Sequence, residues 1–244
     1  MKPIFAFRLF RILVHLFEGL ATCALLFPWV GTGRRNARIL NWSRRLLAIC
    51  NVTVEAPGGV PALQHALIVA NHVSWLDIFV INAVHPCRFV AKSEIRAWPV
   101  LGWLVAQAGT VFIARGSRRD LRHVFKGLVA ALEMGQRVAF FPEGTTAPQG
   151  TVLPFHANLF EAAVDSKVMV QPYALKYVDA RGALHEAVDY TGGTTFVQSV
   201  VKILSSPPIR AQLTCLQPID GAGAHRRAVA EQAHDAIAGA LKAA

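Results

Sequence analysis

Short apolar runs and longer amphipathic stretches take turns along most of this chain, and their periods differ. Asn51-Val52-Thr53-Val54-Glu55 alternates at period two and predicts a strand, after which Pro57-Gly58-Gly59 turns the chain. Ala66-Leu67-Ile68-Val69-Ala70 has no polar side chain, which suits a buried strand. Further short runs predict strands over 88–92, 109–115, 137–141, 167–175 and 209–216. A helix is expected from about Trp75, a strongly apolar one packed near the membrane face over 98–105, an amphipathic one over 117–134 and an alanine-rich surface helix over 226–242. Strands alternating with helices predict an α/β fold with a mixed, largely parallel central sheet flanked by helices.

The start of the chain follows another pattern. From Ile12 to Val30 the residues are mostly apolar, close to the length of a membrane span. His15 and Glu18 interrupt the first half, and the remainder, Gly19 to Val30, is too short to cross. The leading expectation is an amphipathic or re-entrant helix docked into one leaflet, ahead of a true span and, third, of a helix packed into the core. Residues 37–49 repeat apolar positions at helical spacing beside Arg38, Arg44 and Arg45, as in a second helix whose polar face meets headgroups. Pro28-Trp29-Val30 is not a small-residue cleavage site, so a cleaved signal peptide is not expected. The expected organisation is a pair of membrane-binding helices over 1–50 and one catalytic-sized domain over 51–244.

Composition supports this division. Charged residues make up 16% of the chain against 53% hydrophobic, so some apolar surface is expected to meet lipid. The net charge of +10 is uneven: Lys2, Arg8, Arg11, Arg34, Arg35, Arg38, Arg44 and Arg45 against Glu18 give residues 1–50 a charge of +7, which leaves +3 elsewhere. A greasy, basic segment favours an anionic membrane surface over nucleic acid, since each Lys or Arg near such a surface contributes about 1 kcal/mol. Cys23, Cys50, Cys87 and Cys215 form no CxxC pair and lie in apolar surroundings, as expected of buried free thiols in a reducing compartment, with no metal site assigned.

The candidate chemistry begins at Asn71-His72-Val73-Ser74-Trp75-Leu76-Asp77, directly after the apolar strand. Ser74-x-x-Asp77 fits a helix-capping box, which explains Asp77 without catalysis. Asp77 is equally suited to hydrogen-bond one ring nitrogen of His72 and leave the other as a general base, and one carboxylate can do both. Lys92 lies at a strand end, either as a solvated lysine or as a contact for an anion. Arg115 stands at the exit of the 109–115 strand. Pro142-Glu143-Gly144-Thr145-Thr146 gathers a carboxylate, a glycine and two hydroxyls, either as a plain turn or as a loop whose N–H groups receive phosphate or an oxyanion.

His72 and Asp77 as HX4D, Gly109 to Arg115 as GxxFIxR, Phe141 to Thr146 as FPEGTT, and Val170-Gln171-Pro172 as an apolar-x-Pro element occur in that order. This ordered set, spanning about residues 66–176, resembles the four blocks of the glycerolipid acyltransferase family, whose best known members are the bacterial 1-acyl-glycerol-3-phosphate acyltransferases. The resemblance implies a membrane-bound N-terminal helix pair at the inner membrane, with the site on the cytoplasmic side. It implies transfer of a fatty acyl group from acyl-CoA or acyl carrier protein to a lysophospholipid hydroxyl, with no cofactor and no metal. His72 would be the general base and Asp77 its orienting partner. Arg115 and Lys92 would hold the acceptor phosphate, and Glu143, Gly144 and Thr145 would contact its glycerol part. Two departures bear on the acceptor: Phe155-His156-Ala157-Asn158-Leu159-Phe160 lacks the lysine and glycine of the family's Phe-Lys-x-Gly-x-Phe element, and Tyr190-Thr191-Gly192-Gly193 does not itself contain the acidic residue often seen in the family's later segment. A lyso-ornithine lipid is therefore an alternative acceptor, and a non-catalytic lipid-binding protein an alternative function.

Overall fold

A computed structural model of the chain describes residues 3–56, 59–113 and 118–243. The expected turn at Pro57 and Gly58, and Arg115 at the strand exit, lie outside the described residues. The strands are β1 (Val52–Glu55), β2 (Leu67–Ala70), β3 (Arg88–Lys92), β4 (Val111–Ile113), β5 (Val138–Phe140), β6 (Val170–Val178) and β7 (Ile209–Cys215). They form one sheet in the order β1-β7-β6-β2-β5-β3-β4. Every neighbouring pair is parallel except β6 with β7, so the mixed, largely parallel sheet is present as expected.

Helices cover the sheet because parallel strands need crossovers that return over a face. They are α1 (Pro3–Leu25), α2 (Thr32–Ile49), α3 (Asp77–Val84), α4 (Ser93–Arg96), α5 (Leu101–Gln107), α6 (Arg118–Glu133), α7 (Glu161–Ser166), α8 (Phe196–Ser205) and α9 (Arg226–Lys242). Strand β2 explains the sandwich, since Ile68 and Ala70 join Leu46 and Leu47 of α2, Val80 and Ile81 of α3, and Ile203 of α8 in one core. Leu67 and Val69 join Leu128 and Leu132 of α6, Ala163 of α7 and Val229 of α9 in the other. Burial on both sides is why the strand is a continuous apolar run. Truncating Leu67 to alanine would cost about 2–5 kcal/mol by removing packed methyls from a filled core.

Helix α1 begins at Pro3, nine residues before the expected start at Ile12. Its early charge is accommodated because Arg8 Nη1 donates to the carbonyl oxygens of Leu204 and Ser206 at 2.8 and 3.3 Å. The apolar segment Ile4–Trp29 is long and apolar enough to cross a membrane by length and composition, which the shorter expected helix was not. The polar interruptions face α2. His15 Nε2 donates to the Trp42 carbonyl at 2.9 Å, Trp42 Nε1 donates to the His15 carbonyl at 3.1 Å, and Glu18 pairs with Arg45 at 2.9 Å. Gly19 permits this approach, because a Cβ there would lie 2.8 Å from Trp42 Nε1. The opposite side of α1 exposes Phe7, Phe10, Leu13, Val14 and Phe17.

Candidate active site

His72 stands two residues beyond the end of β2, at the carboxyl edge of its parallel neighbours β5 and β6. Open parallel sheets commonly bind ligands at that edge, where loops leave the strands. Asn71 locks the strand end in place: its Nδ2 donates to the Leu175 carbonyl and its Oδ1 accepts from the Leu175 N–H, both at 2.8 Å. The His72 peptide is held from two sides. Its N–H donates to Glu143 Oε1 at 2.7 Å, and its carbonyl accepts from the Ala147 N–H at 2.8 Å.

Asp77 is completely buried and accepts from four groups. Oδ2 accepts from His72 Nδ1 and the Val73 N–H at 2.7 Å and from the Ser74 N–H at 2.9 Å, while Oδ1 accepts from the Tyr177 hydroxyl at 2.6 Å. A carboxylate can only accept, so Nδ1 carries the proton toward Asp77 and Nε2 is left as the basic nitrogen of the neutral ring. Half of the expected capping box is present, in that Asp77 reaches back to the Ser74 N–H. The reciprocal half is not, because Ser74 Oγ accepts from the Leu76 N–H at 3.4 Å and α3 starts at Asp77 itself rather than near Trp75. The imidazole lies flat on Phe141, with ring centroids 3.9 Å apart at 8°, and keeps 19% exposure. This arrangement prevents ring rotation and leaves an edge open to a substrate.

Glu143 has an inner position. It is 4% exposed, and its second oxygen accepts from the Leu153 N–H at 2.8 Å, so the carboxylate bridges the His72 peptide to the far side of the FPEGTT loop. Burial pushes its pKa up, opposed by the N–H groups of Leu153 and His72. This geometry makes Glu143 a brace behind His72, where the sequence suggested contact with acceptor glycerol. Gly144 and Thr145 are exposed beside it. Gly144 has φ 67° and supports His156, whose Cδ2 would lie 3.3 Å from a Cβ at this position. The Gly144 N–H donates to the Phe141 carbonyl at 3.1 Å. Among the described residues the N–H groups of Thr145 and Thr146 make no hydrogen bond. Lys92 ends β3, two strands from β2 across β5, which separates it from the β2 axis by about 10 Å at ordinary strand spacing.

Tyr177 was missed from sequence because the expected strand stopped at Leu175, whereas β6 continues to Val178. The signal was the period-two series Tyr173, Leu175, Tyr177, which places these side chains on one face. Burial and the adjacent Asp77 charge push the Tyr177 pKa well above the ordinary value, so the hydroxyl stays protonated as a donor. Tyr190 also closes on the site, with its N–H donating to the Val73 carbonyl at 3.2 Å and its carbonyl accepting from Thr146 Oγ1.

The family profile described as Acyltransferase matches residues 51–176. Over 151 residues the chain is 45% identical to a 1-acyl-sn-glycerol-3-phosphate acyltransferase of Neisseria meningitidis, covering 61% of this chain and 58% of that protein. It is thus matched to somewhat over half the length of that relative. Over 201 residues it is 37% identical to a lyso-ornithine lipid O-acyltransferase of Pseudomonas aeruginosa, covering 82% of this chain and 76% of that one. The crystal structure of a 1-acyl-sn-glycerophosphate (LPA) acyltransferase from Thermotoga maritima has the same fold, with a TM-score of 0.72 at 20% identity over 98% of this chain and 94% of that one. The profile match and the extent of the Pseudomonas relative mean that this chain belongs to the acyltransferase family.

Proposed function

We propose that the chain transfers a fatty acyl group from acyl-CoA or acyl carrier protein to the free hydroxyl of a lysophospholipid, with 1-acyl-glycerol-3-phosphate as acceptor and phosphatidic acid as product. The observation that carries this reading is the 2.7 Å bond from His72 Nδ1 to a buried Asp77 with the opposite ring edge open. His72 Nε2 takes the acceptor hydroxyl proton as that oxygen bonds to the thioester carbonyl carbon. The tetrahedral oxyanion is received by the N–H groups of Thr145 and Thr146, and its collapse breaks the carbon–sulfur bond. The imidazolium then returns the proton to the leaving thiolate. Asp77 holds the ring and stabilises its positive charge meanwhile. A thioester is already activated, so alignment of hydroxyl and carbonyl is the main task and no acyl-enzyme is required. Arg115 and Lys92 hold the acceptor's anion, and Gly144 and Thr145 line its polar part; Arg115 suits phosphate through its donor fork.

The apolar outer side of α1, together with the exposed Arg34, Arg38, Arg44 and Arg45 of α2, fits docking into an anionic leaflet. These arginines favour the cytoplasmic side of the inner membrane. A second acceptor, a lyso-ornithine lipid, is favoured by the Pseudomonas relative, which matches over most of this chain, and by His156 where lysine was expected. The test is thiol release from acyl-CoA or acyl carrier protein with each lysolipid in turn. We expect turnover, with the preferred acceptor deciding between the two, and a loss on the order of 10² to 10⁴-fold in His72→Ala. An unchanged rate in that variant would remove the general-base reading, and no turnover with any acceptor would leave a lipid-binding protein.

A further inference from the structure

Helix α8 and the α4–α5 corner lie beyond the helix pair to which membrane contact was assigned, yet they carry exposed apolar side chains of their own. Val197 and Val201 of α8 are 69% and 43% exposed, and Trp98, Val100 and Trp103 are 40%, 52% and 43% exposed. Val197 and Val201 are four residues apart, so they form one stripe of α8. Leaving these side chains in water forgoes the favourable transfer of their apolar surface out of it.

Three contacts join this surface to α1 and to the candidate site. Arg8 of α1 donates to the Leu204 and Ser206 carbonyls at the end of α8, where a cation also suits the helix dipole. Phe196 at the start of α8 packs on Trp98 with ring centroids 5.7 Å apart. Trp75, three residues after His72, packs on Phe196 at 5.4 Å and donates its Nε1–H to Ser199 Oγ at 3.1 Å. Wherever α1 docks, α8 and Trp98 are held beside it, and the His72 loop rests directly on them. Val100 is held at φ 64°, a conformation that β-branched residues rarely adopt and that marks this corner as structurally constrained. Along α8 runs an open groove of about 560 Å³ lined by Gly193, Thr194, Val197, Gln198, Val201 and Lys202, in which Lys202 is the one charged lining residue.

We propose that α8 and the α4–α5 corner form a second lipid-contacting surface, on which an anionic leaflet sits with acyl chains against Val197, Val201, Trp98 and Trp103 and a lipid phosphate near Lys202. The occupant is lipid rather than a protein partner because α8 packs directly against α1, with Arg8 held on the Leu204 and Ser206 carbonyls, and because the charge lining the groove is positive. Its consequence is geometric: the lysolipid is presented from the leaflet beside Trp75, a few residues from His72. The inference rests on the reading that α1 docks to a membrane.

The test is co-sedimentation of the full chain with vesicles of mixed phosphatidylglycerol and phosphatidylethanolamine, together with thiol release on a lysolipid embedded in them. Val197→Glu with Val201→Glu should weaken vesicle binding by about 10-fold or more, while Val197→Leu with Val201→Leu retains it. Lys202→Gln should weaken binding about 5-fold on these vesicles and leave it unchanged on vesicles without the anionic lipid. With a short-chain acceptor dispersed in detergent, the glutamate variant should turn over at the wild-type rate, which also reports that it is folded. Wild-type binding in the glutamate variant, with loss in Phe10→Glu, overturns the α8 surface and spares α1 docking. Failure of the wild-type chain to bind any vesicle overturns both. Unchanged vesicle binding with slower release only from acyl carrier protein would make the surface a protein contact and overturn the proposal.

Discussion

The end of β2 and the outer side of α1 solve opposite problems. At the first, the polar groups are internally satisfied: Asp77 accepts from four donors, Asn71 clamps Leu175, and Glu143 bridges His72 and Leu153. At the second, Phe7, Phe10 and Phe17 are 60%, 63% and 73% exposed. Desolvated charge is tolerated only where partners are arranged in advance, so the site is rigid and held from within. Exposed apolar side chains carry no such requirement and derive stabilisation only from something outside the chain. The chemistry is therefore expected to depend on single atoms, and docking on summed area.

The sharpest break of this contrast is Asp77→Asn. With its oxygen at the Oδ2 position the amide keeps the His72, Val73 and Ser74 donors and turns its NH2 to the Tyr177 hydroxyl, but it lacks the negative charge that stabilises the imidazolium. Activity should fall on the order of 10³-fold in a thiol-release assay while vesicle binding stays at the wild-type level. Phe10→Glu combined with Phe17→Glu should do the reverse, lowering vesicle affinity about 100-fold by removing two buried aromatics. Turnover of a detergent-dispersed short-chain acceptor should then be unaffected. Tyr177→Phe deletes one hydrogen bond to a buried carboxylate, worth about 1.5–3 kcal/mol, and should reduce turnover by about tenfold with a fall in melting temperature. A variant as active and as stable as the wild type would reduce Tyr177 to packing.

The smallest effect is a slope. Burial, with the Arg137 charge adding to it, pushes His85 down from 6.5 to about 4. The unfolded chain therefore binds a proton that the folded chain does not as pH falls from 6.5 toward 4. Stability should decrease over that window by up to about 1.4 kcal/mol per pH unit and level off below it. Denaturant melts of His85→Asn should lack this component.

His72 and Asp77 were legible because their relation is local: five residues on a strand-to-helix turn bring imidazole and carboxylate together. The FPEGTT loop was legible as a loop, but the position of Glu143 within it was not. Its partners His72 and Leu153 stand 71 and 10 residues away, and only the β2–β5 pairing brings the first of them near. The same holds for the α1 interruptions. His15 and Glu18 looked like obstacles to lipid burial until Trp42 and Arg45 of α2 accounted for them.

By itself, the sequence determined the alternation of strands and helices, the doubly buried β2, the order of the motifs and the basic, apolar character of the first 50 residues. Each of these depends on spacing within a few residues, where period and side-chain type decide the outcome. The tertiary structure decided that Tyr177 reaches Asp77 from 100 residues away, that Glu143 bridges the His72 and Leu153 N–H groups, and which side of α1 is left open. Those outcomes follow from the order β6-β2-β5 in the sheet and from the packing of α1 against α2 and α8. Contacts so distant in sequence are selected by the closing of a common core, and no local pattern encodes them.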